Sequence, residues 1–431
     1  MNIKQLQEFI RSFREVSSWE IRRWRKKSYQ RYLIFDRIES QRMVESEKFI
    51  VTFYLEQKWE GQKVLGESTV SFAGGEDYRG RLTSALEMAA LVKNPVFRLP
   101  EKGLIYDPIQ TVDPDIREQP LIYLDRIQED LQGEPLERVK RSSAEVFLED
   151  KELFLINSNG LEQEASFTEI LVDFVLLAEK GARLDGESQG TRRARFYKDL
   201  RMAEIVRQYG QYAREAQEAR LPSSGRYPVV FGGEALDTLF SFFIQHASGP
   251  ACFQNWSQLT LGEPVIHDLR GEALSLSSNP SLPGGLESRP FDSNGLPLRP
   301  VKVIKDNLFK TRLNNKRYAD YLKEEATGEL SNVEVGPGSH SLVSFAADGP
   351  GYYLCRFSTF EPNPITGAFS GEIRTGYFLE GGRKTPIKGG SVSGTMQKAF
   401  RQAYFSKEII QRESFLGPEA VKIDRLDITG Q

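Results

Sequence analysis

Cysteine and histidine are nearly missing from this chain, whose 431 residues carry two of the first and three of the second. Cys252 and Cys355 are too few for a disulfide framework, and no Cys-x-x-Cys pair exists to hold zinc. That scarcity fits a reducing, cytoplasmic setting. A basic excess is also missing. The formal net charge is −3, so no overall positive field would hold a phosphate backbone, and direct nucleic-acid binding is not expected. Long apolar runs are absent too. The run from Ile170 to Ala178 is too short to span a bilayer and contains Asp173. The opening stretch Met1–Phe13 has charges within its apolar pattern and does not read as a signal peptide, so no membrane association is expected.

What is present is an ordinary globular composition, 39% hydrophobic and 27% charged, long enough for two or three domains with their own cores. Ile3, Leu6, Phe9, Ile10, Phe13 and Val16 recur at helical spacing. The basic run Arg22–Lys27 follows and reads as a solvated helix end. Arg31–Glu39, Lys48–Gln57 and Val64–Ala73 read as strands, and Leu82–Val92 as a helix ending before Asn94-Pro95. The proline-rich stretch Arg98–Pro120 reads as a connection. A second unit of the same kind follows. It has a helix over Leu121–Leu131, strands at Ala144–Leu148 and Leu153–Asn157 split by a turn at Glu149-Asp150-Lys151, a strand over Ser166–Leu177, and a long helix from Phe196 to Ala219. Pro222–Gly225 is a linker, and Tyr227–Phe231 is the first strand beyond it.

The expected fold class is α+β: helix–strand–helix units followed by a larger, mostly antiparallel β domain. The boundaries fall at 1–97, a linker over 98–120, 121–221 and 222–431. Val301–Ile304 and Leu308–Leu313 read as a hairpin about Lys305-Asp306-Asn307. Thr375–Leu379 alternates as a half-buried strand, with a tight turn at Gly381-Gly382 and the return strand at Thr385–Ile387. Glycine at this density, Gly371 included, lets a backbone approach another backbone or a peptide closely.

The ordered string Thr366–Ser370, Gly376–Gly382, Pro386–Gly390 and Val392–Thr395 resembles the C-terminal signature of the TldD/PmbA family. Members are peptidase-complex subunits also described as modulators of DNA gyrase. Ser281–Ala319 and the junction Arg207–Phe231 are similar to the family's segments in order, so the likeness covers about Tyr227 to Gly430. Thr395 departs from the asparagine usual there, and Cys355 and Phe360–Pro364 are particular to this chain.

Catalytic members carry His-Glu-x-x-x-His on the helix that here spans Gly233–His246. Two histidines bind zinc, the glutamate acts as general base, and a later cysteine completes the ligands. In this chain Ser241 stands at the first histidine, Phe242 at the glutamate and His246 at the second histidine, and no cysteine follows Cys355. The resemblance therefore implies no cofactor and a TldE/PmbA-like, non-catalytic subunit. Its partner would be a zinc-bearing TldD-like sister subunit or a second copy, and it would present unfolded or modified peptides. His246, Arg289, Asp292, Gly371 and Thr375 are the candidate groove residues. Arg289 and Asp292 could orient a peptide or order a buried loop by pairing, and His246 could simply cap its helix by donating to late carbonyls. Two other readings stay open. One is an active peptidase with a non-standard site, for which Ser241 and Ser257 near His246 lack a nucleophile elbow. The other is a stand-alone peptide-binding or scaffold protein.

Overall fold

The computed structural model describes residues 3–133, 137–181, 183–257, 259–347 and 349–431. Helix α1 (Ile3–Arg11) precedes the long strands β1 (Ser18–Ile34), β2 (Arg37–Trp59) and β3 (Gln62–Ala73), which α2 (Tyr78–Ala89) follows. Short α3 (Pro114–Glu118) and α4 (Pro120–Gln132) lead to β4 (Val139–Asn157), β5 (Glu162–Lys180) and β6 (Arg183–Ala194), then to α5 (Tyr197–Leu200) and α6 (Met202–Ala216). The two strand sets are not separate sheets. β1 pairs with both β2 and β4, giving one antiparallel six-stranded sheet in the order β3-β2-β1-β4-β5-β6. One face is apolar and carries the helices. Ile21, Val51 and Phe53 pack with α1 and α2, and Val146, Val172 and Phe174 pack with α4 and α6. The other face meets the C-terminal half, for example through Leu155 and Leu161 against Phe291.

Four local expectations change. Arg22–Lys27 is mid-strand, not a helix end, because acidic residues on neighbouring strands neutralise it: Arg25 pairs with Glu47 at 2.9 Å and Lys26 with Glu149 at 2.9 Å. Glu149-Asp150-Lys151 is not a turn for the same reason, since Lys151 bridges Glu149 and Glu169, each at 2.7 Å, inside a continuous β4. The helix read over Phe196–Ala219 breaks at Arg201, whose φ of 50° is left-handed. Within the proline-rich connection, Asp113 caps α3 by accepting from the Asp115 and Ile116 backbone. Strand β6 carried no apolar signal because α6 lies directly on it. A Cβ at Gly186 would sit 2.1 Å from the Ala213 carbonyl.

The C-terminal half opens with β7 (Gly225–Gly232), α7 (Ala235–His246) and α8 (Gly249–Phe253). Next come β8 (Leu276–Asn279), β9 (Val301–Lys305), β10 (Leu308–Phe309), α9 (Lys316–Leu322), β11 (Asn332–Val335) and α10 (Leu342–Ala347). Strands β12 (Gly351–Phe360), β13 (Ala368–Glu380), β14 (Arg383–Ile387) and β15 (Ser391–Thr395) follow. The chain closes with α11 (Met396–Phe400), β16 (Ala403–Phe405), β17 (Ile409–Arg412), β18 (Phe415–Pro418) and β19 (Ala420–Thr429). One sheet runs β12-β7-β19-β15-β13-β14, and a further β12–β13 pairing closes it into a ring. The second runs β10-β9-β8-β11-β18-β17. Pairing is mostly antiparallel, with β7·β12 and β11·β18 parallel. The β13–β14 hairpin turns on Gly381-Gly382, whose φ values of +55° and +77° are those a two-residue type I′ turn demands.

Helix α7 lies at the centre of this half. Leu236, Leu239, Phe240, Phe243 and Ile244 belong to the same buried cluster as side chains from both sheets. A helix apolar on most sides is a buried helix, and this one reaches water only along a narrow polar arc.

Candidate functional site

That arc is Asp237, Ser241 and Gln245, one per turn, with Thr238 beside it. It faces a cavity of about 460 Å3 closed by Glu361, Pro362 and Pro364 from the segment after β12. Phe242 also lines the cavity while packing edge-on against Phe243 at 5.4 Å. The His246 ring lies 4.4 Å from the Phe242 ring. Its partner is not a carbonyl of its own helix. The imidazole donates to the Pro364 carbonyl, and its Nε2 is buried with no hydrogen-bond partner. Burial lowers the His246 pKa from the ordinary histidine value, and the bond to Pro364 offsets part of that. Asp237 is the acid that motif reasoning missed. Burial pushes its carboxyl up to about 7, Arg412 opposes the shift, and Oδ1 has no partner. The sequence did hold a signal for it, since Asp237, Ser241 and Gln245 recur every fourth residue along an otherwise apolar helix.

The donor set does not fit zinc. Tetrahedral zinc needs three or four nitrogen, sulfur or carboxylate ligands, and the motif positions supply a hydroxyl, a phenyl ring and one imidazole. Among the described residues no group of three or more His, Cys, Asp or Glu is arranged to hold a metal ion. The other cysteine and histidine candidates lie elsewhere. His340 is 3.4 Å from Glu272, and Cys355 donates to the Thr375 carbonyl at 3.4 Å, its thiol pushed up to about 11 by burial. A phenylalanine in the general-base position cannot accept a proton.

The remaining groove candidates do not converge on α7. Arg289 and Asp292 line a separate cavity of about 360 Å3 between the N-terminal sheet and the Leu286–Ser293 segment. They do not pair with each other. Arg289 pairs with Glu287 at 2.7 Å and donates to the Leu330 carbonyl, while Asp292 Oδ1 accepts from the Asn294 and Leu296 backbone at 3.0 and 2.9 Å. Gly371 lies mid-strand with both edges taken, by Phe360 of β12 and Val392 of β15, and its missing Cβ makes room for the Phe357 and Phe360 rings. Thr375 pairs with Arg356. Gly371 offers no free edge to a peptide, because β12 and β15 take both of its sides, and the ring closure takes the β12 side of Thr375.

A third cavity, about 600 Å3, separates α6 from the C-terminal half. All four residues of β17 line it, together with Arg192, Tyr209, Glu234 and Arg356 from around the seam. Arg356 pairs with Glu234 at 3.4 Å and lies 4.6 Å from the centre of the Tyr209 ring. Strand β17 is the outermost strand of its sheet and, among the described residues, pairs with β18 alone.

Residues 224–430 match the PmbA/TldA metallopeptidase C-terminal domain. Metalloprotease PmbA of Escherichia coli O157:H7 is 24% identical over 285 residues, 64% of this chain and 62% of that protein. The zinc metalloprotease TldD homolog of Saccharolobus solfataricus is 28% identical over 189 residues, 40% of this chain and 42% of that protein. The chain thus spans less than two thirds of the length of these curated relatives. The crystal structure of TldE from Thermococcus kodakarensis superposes with a TM-score of 0.81 at 19% identity, covering 99% of this chain and 100% of that one, which shows a shared fold. Domain match, relatives and fold agree that the chain belongs to the TldD/PmbA family, a family of metallopeptidase-like proteins.

Proposed function

We propose that this chain is a TldE/PmbA-like, non-catalytic subunit of a cytoplasmic metallopeptidase complex. It shapes the chamber in which a zinc-bearing sister subunit cleaves unfolded or modified peptides. The observation that carries this reading is the α7 arc, where the positions that hold metal and base in catalytic relatives are Ser241, Phe242 and a single His246. Peptide is presented by strand addition. The outer edge of β17 borders the 600 Å3 cavity, and an unpaired strand edge is a template for an extended chain. The partner is the sister subunit, or a second copy where no sister exists.

The test is metal analysis of the purified chain, followed by a pull-down and a peptide-cleavage assay with each subunit alone and both together. The expected result is no stoichiometric zinc on this chain, no turnover by it alone, and faster turnover by the pair than by the sister. Tightly held stoichiometric zinc, or cleavage by the isolated chain, would overturn the reading.

A further inference from the structure

We propose that the cavity between the six-stranded sheet and the Leu286–Ser293 segment is a binding site for an ammonium group attached to an apolar moiety. Asp292 is 2% exposed and lines the cavity. Its Oδ1 is satisfied by two backbone amides, but Oδ2 is buried with no hydrogen-bond partner. An unmet buried acceptor is costly, and native proteins rarely leave one without a function or a ligand.

The surroundings hold both signs of charge: Glu329 and Arg289, 3.8 Å apart, act on Asp292 in opposite directions, Glu329 more strongly. Glu329 approaches from the next loop, and its oxygens are already held by the Ser293 backbone and hydroxyl and by Asn315. Glu20, 1% exposed, accepts from Asn294 at 3.1 Å. Burial first, and then the charge of Glu329, raise the Asp292 pKa. The nearby cations each face an acid or a carbonyl, although Arg22 Nε makes no hydrogen bond. Arg22 lies 3.4 Å from Glu20, Arg289 holds Glu287, Lys151 bridges Glu149 and Glu169, and Arg195 is spent on backbone carbonyls such as Gly285 and Thr168. On the acid side Asp292 Oδ2 is left without a donor, and a ligand that donates would meet it.

The walls select among donors. Trp24 and Phe167, with ring centroids 6.1 Å apart, line the cavity with Leu153 and Phe291. Aromatic faces attract an ammonium and accommodate a hydrocarbon stem. The carboxylates are not placed as a metal shell. On the peptide reading above, on which only the ligand's identity rests, the group is a peptide's N-terminal ammonium or a lysine side chain.

Calorimetric titration of the full chain with phenethylamine and with its neutral counterpart 2-phenylethanol tests the site. The amine is expected to bind at least about tenfold more tightly, and Asp292→Asn, which keeps Oδ1 as acceptor, to erase that difference without changing the alcohol. Should the Asn variant misfold, Trp24→Leu on the opposite wall is expected to weaken the amine as well. Equal affinities for amine and alcohol, no binding of either, or an unchanged preference in a folded variant would overturn the site. Lysine-free peptides with free and acetylated N-termini, and an acetylated peptide with one lysine, separate the two sources. Loss on acetylation assigns the N-terminus, and rescue by lysine assigns the side chain. Peptides that bind equally well without any ammonium would overturn the site while the presentation role stands. Phenethylamine binding without binding of any peptide would leave the site and remove the presentation role.

Discussion

Two cavities of this chain each hold a carboxylate with an unpartnered oxygen, in different surroundings. The cavity on α7 is lined by Asp237, whose Oδ1 has no partner, and by Ser241 and Gln245, on a helix packed into the core. The cavity at the sheet seam, lined by the candidates Arg289 and Asp292, holds a second carboxylate with an unpartnered oxygen, Asp292, and the aromatic side chains Trp24, Phe167 and Phe291. Unmet polar atoms occur in both places, at Asp237 and His246 on the core helix and at Asp292 at the seam. The difference lies in what surrounds them: α7 is held by packing on most sides, whereas the seam cavity brings acids, bases and aromatic rings from two halves together.

This contrast is broken most severely through the core. Phe240→Ala removes a fully buried ring stacked on Phe415 at 5.6 Å and is expected to cost about 3–5 kcal/mol in denaturant unfolding. A loss below about 1 kcal/mol would mean that α7 is not held as the helix at the centre of the fold.

Next comes Asp237→Asn. A carboxyl raised to about 7 in the folded protein and ordinary in the unfolded one imposes no penalty in acid. The penalty grows as pH rises from about 4 to 7 and is full above that. The Asn variant should therefore gain about 2 kcal/mol over wild type at pH 8 and little at pH 4, read from melts at both values.

His246→Gln should act with the opposite sign. Burial lowers this imidazole's pKa, so wild-type stability is complete above the ordinary histidine value and falls as pH drops below it. Replacement should flatten that acid-side loss and change little at pH 8. If both variants change the pH dependence of stability with the same sign, the two groups are not perturbed in opposite directions as their burial requires.

Trp24→Ala at the seam should cost only about 1 kcal/mol, since the ring is half-buried and faces the cavity. A cost equal to that of Phe240→Ala would make the seam structural and weaken its reading as a binding site. Ser241→Ala, on the cavity side of α7, should fall within about 0.5 kcal/mol of wild type by chemical denaturation.

Much of the β-rich half could be read from local residues. Gly381-Gly382 and Asp306-Asn307 are turns because positive φ is needed there and those residue types tolerate it. The α7 helix announced itself by apolar spacing, and the vacancy at Ser241 and Phe242 by residue type alone. The N-terminal sheet was harder to read. Charged runs such as Arg22–Lys27 and Glu149–Lys151 look like surface punctuation until neighbouring strands supply opposite charges, as Glu47 does for Arg25, Glu149 for Lys26 and Glu169 for Lys151. The glycines of β6 carry no apolar pattern, because their role is to let α6 approach.

Residue identity by itself determined that α7 cannot assemble a zinc site, because no arrangement of a hydroxyl, a phenyl ring and one imidazole supplies the ligands. It also determined where the tight turns of the C-terminal half fall. Only the tertiary structure decided that the two N-terminal strand sets share one sheet, that ring closure removes Gly371 from any peptide edge, and that Asp292 keeps an unmet oxygen. The physical reason is the same in each case. Strand pairing, edge occupancy and desolvation depend on what lies across space, and residues far apart along the chain, such as Glu20 and Asn294, supply it.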